Sequence, residues 1–363
     1  MRRSFIAKFF PTPSYLHLPC FGLDISDRAV KYIELQNKGS VLDINKWGER
    51  EIEKGIVEGG VIKDPDKLTE IIRDIKKETD FNFAYISLPE EKAYLVEMTV
   101  PTGADADLHE AIELHLEEQI PIDARTAIFD YEIVHAPDSE HSRTYVVMVS
   151  AVESALAESY QNVLAKSGVI SLGFEFESQA IARSVVERGN NGISMIVDIG
   201  REQSNVSIVS RSLVRLTSSI TVGGNAIAEA ITKDLGLSID EAIKLKEEEG
   251  LMRRGAKSPF ESIVRVASVL RDEMYKRLIY WNTGRERSNP KDAVSEIILC
   301  GGNGSIPGLT EYLTAGIDLP VSLANPWVNI LSFDEKIPVI TRRESLKYCT
   351  ALGLALRGVF RND

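Results

Sequence analysis

The sequence predicts an α/β protein of two or more lobes built on a duplicated unit, with a compact α+β insertion between the two copies. Three observations carry that expectation. A strand-end tetrapeptide, Leu23-Asp-Ile-Ser26, returns as Val197-Asp-Ile-Gly200, and each copy is followed by a second extended run, residues 30–35 and 206–209. Two glycine-rich turns, Val222-Gly-Gly-Asn225 and Gly301-Gly-Asn-Gly304, each lead into a helical pattern. Between the two copies, residues 96–166 follow a rhythm of their own.

Taken in order, residues 1–19 carry three prolines and no periodic apolar face, and are expected to form a flexible tail. Phe21 to Ser26 and Ala29 to Leu35 read as a β-hairpin. Leu68, Ile71, Ile72 and Ile75 recur at helical spacing, and residues 83–88 form a strand stopped by Pro89. Residues 20–95 thus make the first part of lobe one. The next segment, 96–166, opens with an extended run to Val100 and a helix bearing Leu108, Ala111, Ile112 and Ile120, which Pro121 ends. Strands at 128–134 and 145–149 and a helix at 151–166 complete an αββα insertion. Residues 167–363 supply the rest of lobe one and lobe two.

Composition removes several classes of function. Against 42 Lys plus Arg stand 54 Asp plus Glu, and the net charge of −12 repels phosphate backbones and anionic lipid over most of the surface. Nucleic acid is therefore not an expected partner. The basic clusters Arg253, Arg254, Lys257 and Arg342, Arg343 are read as solvated loop charge. Three cysteines, Cys20, Cys300 and Cys349, fit no CxxC motif and suit a reducing compartment, while the five histidines lack metal-ligand spacing. No run approaches the roughly 20 apolar residues that cross a bilayer, and no membrane span is expected.

Chemistry gathers at the repeats. A strand that ends in aspartate before a tight turn aims a carboxylate and several backbone N–H groups at one point, which suits a magnesium-bound phosphate. In that arrangement Asp24 and Asp198 hold a hydrated magnesium ion, while the first turn with Ser26 and the second with Gly200, Ser204 and Asn205 approach phosphates. Either aspartate also suffices simply to start a turn. Gly223, Gly224 and Asn225 precede a helix whose N-terminal N–H groups favour an anion, although a lone Gly-Gly serves more often as a plain strand-to-helix turn. Gly301 and Gly302 leave a flat backbone against which a planar base fits, with Ser305 in the same turn.

This order of motifs resembles the actin-like ATPases, a duplicated ribonuclease H-like fold, and within them the PilM and FtsA branch. The resemblance runs from about Phe21 to Arg357. It is carried by the two Asp-Ile turns, the glycine turns, Glu113 to Pro121 with Tyr131 in the insertion, Glu177-Ser-Gln-Ala-Ile-Ala-Arg183, and Ala351-Leu-Gly-Leu-Ala-Leu-Arg357. It implies two lobes around a nucleotide cleft, residues 96–166 as a small domain inserted into the first lobe, and ATP or ADP with Mg2+ in the cleft. It also implies a partner, the cytoplasmic tail of a PilN-like inner-membrane protein bound beside the insertion, and so a cytoplasmic location peripheral to the inner membrane through partners, with self-association as a further interaction.

Two departures bear on mechanism. Ser26-Asp27-Arg28 stands where relatives usually carry glycine and a hydroxyl residue, placing an extra carboxylate where phosphate oxygens are expected. In the segment resembling the ribose motif, Ile243 replaces a common glutamate, whereas Lys244 and Lys246 remain. Glu177 aligns with a water-orienting carboxylate of some actin-like proteins, the alternative being a surface glutamate at a helix start. The expected function is a nucleotide-binding scaffold in type IV pilus assembly whose turnover is slow or absent. The alternatives are an active actin-like ATPase or sugar-kinase-like enzyme, and an FtsA-like filament protein, for which residues 358–363 are too short to form a membrane helix.

Overall fold

The computed structural model describes residues 20–38, 41–101, 107–136, 144–253, 258–284, 293–331, 334 and 336–359. The expected flexible tail, residues 1–19, lies outside them. The first lobe starts with the meander β1 (Phe21–Ile25), β2 (Ala29–Lys38) and β3 (Val41–Glu51), followed by the short pair β4 (Val57–Glu58) and β5 (Val61–Ile62). Helix α1 (Pro65–Thr79) begins where the Asp64 carboxylate accepts from the Lys67 N–H, has proline in its first turn, and ends at Asp80 in the left-handed conformation. Its buried Leu68, Ile72 and Ile75 face a sheet extended by β6 (Phe83–Leu88).

The chain then leaves the lobe through β7 (Tyr94–Pro101), α2 (Leu108–Gln119), β8 (Ala127–His135) and β9 (Thr144–Glu153). These form a three-stranded antiparallel sheet, β7-β9-β8, with α2 on one face and a core of Met98, Val100, Ile112, Leu116, Val147 and Val149. The self-packed unit therefore spans residues 94–153. Helix α3 (Ser154–Ser167), which the sequence reading assigned to the insertion, instead buries Ala157, Tyr160, Val163 and Leu164 in the core of lobe one alongside α1. Its apolar face fits that larger core, and Gly168 in the left-handed conformation turns the chain into β10 (Ile170–Phe176).

Helix α4 (Glu177–Val185) leads to the second lobe: β11 (Ile193–Ile199), β12 (Ser204–Ser210), β13 (Leu213–Ile220), α5 (Gly224–Leu235), α6 (Ile239–Glu248), α7 (Phe260–Thr283), β14 (Glu296–Cys300), α8 (Leu309–Ile317) and β15 (Val321–Leu323). The duplication is visible in the topology. One sheet runs β3-β2-β1-β6-β10 and the other β13-β12-β11-β14-β15, each with three antiparallel strands followed by two parallel ones. The last helix, α9 (Cys349–Val359), returns to lobe one, packs on β1, β6 and β2, and crosses α4. That crossing is close: a Cβ on Gly353 would run into the Ala180 backbone carbonyl, and one on Gly22 into that of Ala351.

Candidate functional site

Both copies of the Asp-Ile turn open into one cleft of about 880 Å³ between the lobes. At its floor the two strand-end aspartates are held in parallel ways. Asp24 sits beside the end of β6, where the Ser87 hydroxyl donates to its Oδ1 at 3.0 Å, and Lys31 of the facing strand donates to its Oδ2 at 3.2 Å. Asp198 pairs in register with Cys300 at the end of β14, whose thiol lies beside its carboxylate. The duplication thus extends from topology to the small donor beside each carboxylate.

The second turn is tight. Gly200 N–H donates to the Gln203 carbonyl, and the Gly200 carbonyl accepts from the Asn303 side chain at 2.8 Å and from Gly224 N–H at 3.0 Å. Asn303 in turn accepts from the Lys246 ammonium at 2.7 Å. Lys246 is buried, and its known acceptor is a neutral amide, so the charge sits at the cleft wall with room for an anionic or polar group. Asn205 accepts from Ser219 and points its amide at Glu177 Oε2, 3.4 Å away.

Of the residues singled out from sequence, Asp24, Ser26, Glu177, Asp198, Gly200, Asn205, Asn225, Lys246, Gly301 and Gly302 line the cleft. Ser204, Gly223, Gly224 and Ser305 do not. The Ser204 hydroxyl donates to the Val222 carbonyl and braces the turn from behind. Gly223 and Gly224 are glycines because a Cβ would strike the Arg201–Glu202 backbone in one case and the Asn303 side chain in the other. The α5 N-terminus, read as a phosphate donor, is already used: Gly224 N–H goes to the Gly200 carbonyl and Asn225 N–H to that of Arg201. Ser305 lies outside, accepting from Arg343 at 3.3 Å.

The extra carboxylate of the first turn also has a place. Asp27 accepts from Gly59 and Gly60 N–H at 2.8 and 3.0 Å, which fixes the β4–β5 turn over the hairpin. It remains at the cleft wall, but its charge is held by two amides. Residues that sequence reasoning passed over include Lys31, Glu91 and Lys347. Lys31 had a legible signal, the inward-facing position two residues after the Ala29 end of the turn. Glu91 and Lys347 had none, since only the meeting of the lobes brings Glu91 to Gln203 (3.1 Å), and only the return of the chain to lobe one, some 300 residues on, brings Lys347 to Glu49 (2.6 Å).

The model of the family described as type IV pilus assembly protein PilM matches residues 22–359. The chain belongs to the PilM family. A solved PilM-PilN type IV pilus biogenesis complex is similar at 21% identity and a TM-score of 0.78, covering 94% of this chain and 99% of that one. MreB5 of Spiroplasma citri bound to ADP is similar at 13% identity and a TM-score of 0.56, over 94% and 96%. The ethanolamine utilization protein EutJ from Carboxydothermus hydrogenoformans gives 14% and 0.53, over 93% and 88%. The duplicated, two-lobed fold of this PilM-family chain is the actin-like one.

Electrostatics distinguish the two ends of its cleft. At the aspartate end, burial raises the Glu177 carboxyl well above its ordinary range, and Asp24, Glu91 and Asp198 push it further. Burial likewise raises Asp198 to about 6, against the pull of Lys31. Burial would lower Lys31, but Asp24, Glu49 and Asp198 outweigh it and raise it. This end is short of positive charge and stands ready for a cation. At the glycine end, burial lowers Lys246. Among the described residues no three acidic, histidine or cysteine side chains converge to hold a metal directly. No helix of the described residues is long and apolar enough to cross a membrane.

The raised Asp198 has a measurable consequence. A carboxyl held above its unfolded value binds a proton in the folded state that the unfolded chain has released, so stability falls as pH rises from about 4 through about 6. Asp198→Asn is expected to raise the stability of the ligand-free protein at pH 7.5 by on the order of 1–2 kcal/mol, and to flatten that part of the profile. Thermal unfolding between pH 4 and 8 checks this; an unchanged profile contradicts it.

Proposed function

We propose that this chain is a cytoplasmic nucleotide-binding scaffold of a type IV pilus assembly platform, which docks the cytoplasmic tail of a PilN-like inner-membrane protein beside its insertion. The observation that carries the reading is the cleft between two copies of one fold, with carboxylates at one end and bare glycine backbone at the other. Its volume lies within the range of small-molecule sites. The residues fit ATP or ADP with Mg2+. Asp24 and Asp198 would hold the hydrated ion, and Lys31 with the Ser26 and Gly200–Gln203 turns would face phosphate. Lys246 would face the sugar side, and Gly301 and Gly302 the base. When bound, the ion supplies the positive charge that the acidic end lacks.

Hydrolysis is expected to be slow or absent. A base needs a free carboxylate within reach of water, whereas burial and the neighbouring carboxylates disfavour the charged form of Glu177, and Asn205 donates to its Oε2. Nucleotide released from the purified protein by denaturation and identified by chromatography tests the reading; a preparation that neither contains nor takes up ATP or ADP overturns it.

The cleft is spanned at its mouth by an ion pair from the end of β3, Glu51 to Arg201 at 3.3 Å. An exposed pair of this kind contributes about 0.2–1 kcal/mol. Glu51→Ala is therefore expected to release a fluorescent ADP analogue faster, by about five-fold at most, an effect that 0.5 M salt reproduces in the unaltered protein. Equal release rates would remove the pair from the closing of the cleft.

The tail-docking groove lies between two sheet edges. β8 ends the insertion sheet and β10 ends the sheet of lobe one. Phe129 and Tyr131 of β8 pack toward α2, which leaves Ile128, Asp130 and Glu132 on the opposite face. Glu132 looks across at Glu175, Arg183 and Arg357. An extended peptide gains main-chain pairing at such an edge and side-chain seats in the groove. Replacing residues 103–149 by a short linker should abolish binding of a PilN tail peptide while nucleotide binding persists.

A further inference from the structure

On the scaffold reading the phosphates face the acidic end of the cleft, and the wall of that end sets how many are accepted. Besides Asp24 and Asp198, it is lined by the carboxyl groups of Asp27, Glu91 and Glu177. Each of these is tied in place. Asp27 accepts from Gly59 and Gly60 N–H through its two oxygens, at 2.8 and 3.0 Å. The turn that supplies those amides is pinned from behind, where the buried Tyr160 hydroxyl donates to the Gly60 carbonyl at 2.9 Å. Glu91 accepts at its Oε2 from the Gln203 side chain of the second turn, a bond that reaches from one lobe to the other. Glu177 accepts from Asn205. Burial raises the Glu91 carboxyl, and the Asp27 charge beside it adds to the rise, so the two groups act on each other.

Positive charge at this end is already committed. Lys31 donates to Asp24, and Arg201 of the second turn pairs with Glu51 at the mouth, which leaves Arg28 of the first turn. A triphosphate brings one more negative charge than a diphosphate, and it needs donors or cations where this wall offers carboxylates that cannot swing away. An ion held at Asp24 and Asp198 serves either nucleotide and so does not offset the difference. We infer that the cleft selects a nucleoside diphosphate and disfavours the triphosphate, with Asp27 and Glu91 as the residues that set the preference. This deepens the scaffold reading and rests on it. A cleft that holds the diphosphate has no terminal phosphate to cleave, which gives slow turnover a second cause besides the state of Glu177.

The test is a competition. Displacement of a fluorescent ADP analogue at fixed Mg2+ gives the affinities of ADP and of AMPPNP, a triphosphate analogue that turnover does not convert. ADP should bind the unaltered protein about ten-fold or more tightly than AMPPNP. Asp27→Asn and Glu91→Gln each remove a charge but keep a side-chain oxygen to accept from the Gly59–Gly60 amides or from Gln203. Each should shrink the ratio about three-fold or more, and the double variant should bring it close to one. Melting temperatures identify a variant that fails to fold, and 0.5 M salt, which screens the same repulsion, should narrow the ratio in the unaltered protein without any substitution. AMPPNP binding the unaltered protein as tightly as ADP overturns the inference and leaves the scaffold reading standing, as does a ratio that neither the folded variants nor salt moves. Failure of the unaltered protein to bind either nucleotide overturns both.

Discussion

Gly353→Ala is expected to lower stability by about 3 kcal/mol or more. The reason is local and geometric. α9 crosses α4 where Gly353 meets Ala180, and a methyl group added at Gly353 would fall on the Ala180 carbonyl and its carbon. Those are backbone atoms of a buried helix, so no side chain can swing away to make room. Relief requires α9 to rise from α4, and α9 also seats Leu352, Leu354, Ala355 and Leu356, all buried at 0–1% exposure against the lobe-one sheet or α4. The gain in helix propensity of alanine over glycine, about 1 kcal/mol, is too small to compensate. Urea unfolding followed by circular dichroism gives the comparison. A midpoint within experimental error of the unaltered protein would mean that the two helices are not packed this closely.

The fold was legible where sequence pattern and tertiary structure ask for the same thing. Asp24 and Asp198 each follow an apolar strand and precede a turn, and the repeat of that arrangement marked the two halves before any contact was known. The helix at 65–79 announced itself through the spacing of Leu68, Ile71, Ile72 and Ile75. The assignment of α3 failed for a physical reason. Its apolar stripe, Ala157, Tyr160, Val163 and Leu164, is the same whether it covers three strands of the insertion or five of the lobe, and periodicity does not name the partner.

At the site, the glycines show the same division. Sequence identifies where glycine is needed, not whether the empty space faces a ligand or a neighbouring backbone. Gly223 and Gly224 proved to make room for the second turn and for Asn303, and Gly302 for the cleft. Asp27 looked like a repelling charge because its partners, the amides of Gly59 and Gly60, lie 32 and 33 residues away. The contacts of Glu91 with Gln203 and of Arg215 on β13 with Glu97 on β7 arise only from the way independently patterned units meet, and no local spacing encodes them.

Gly302→Glu is expected to reduce affinity for ADP and ATP by 100-fold or more while leaving the ligand-free melting temperature within about 2 °C. The two halves of that result have separate grounds. Gly302 has no left-handed backbone angle, and a Cβ there would meet only the Lys347 Cβ, 4.0 Å away, so the folded chain accepts a side chain. That open space is the cleft itself. A glutamate filling it would cover the flat Gly301–Gly302 surface and bring a carboxylate beside Lys347, competing with Glu49 for its ammonium. Loss of the base-stacking surface together with a side chain filling the base end of the cleft is expected to exceed the roughly 2.7 kcal/mol that a 100-fold change represents. Neighbouring glycines behave differently. Gly301, at φ 79°, would direct a Cβ into the Asp198 carboxylate, so Gly301→Ala is expected to lower stability first and binding as a consequence. Gly224→Glu would displace Asn303 and thereby both Lys246 and the Gly200 carbonyl, coupling loss of binding to loss of stability. Fluorescence titration with a labelled ADP analogue, run beside a thermal melt of each variant, separates the three. Unchanged affinity in the Gly302→Glu protein would place the nucleotide somewhere other than against this turn.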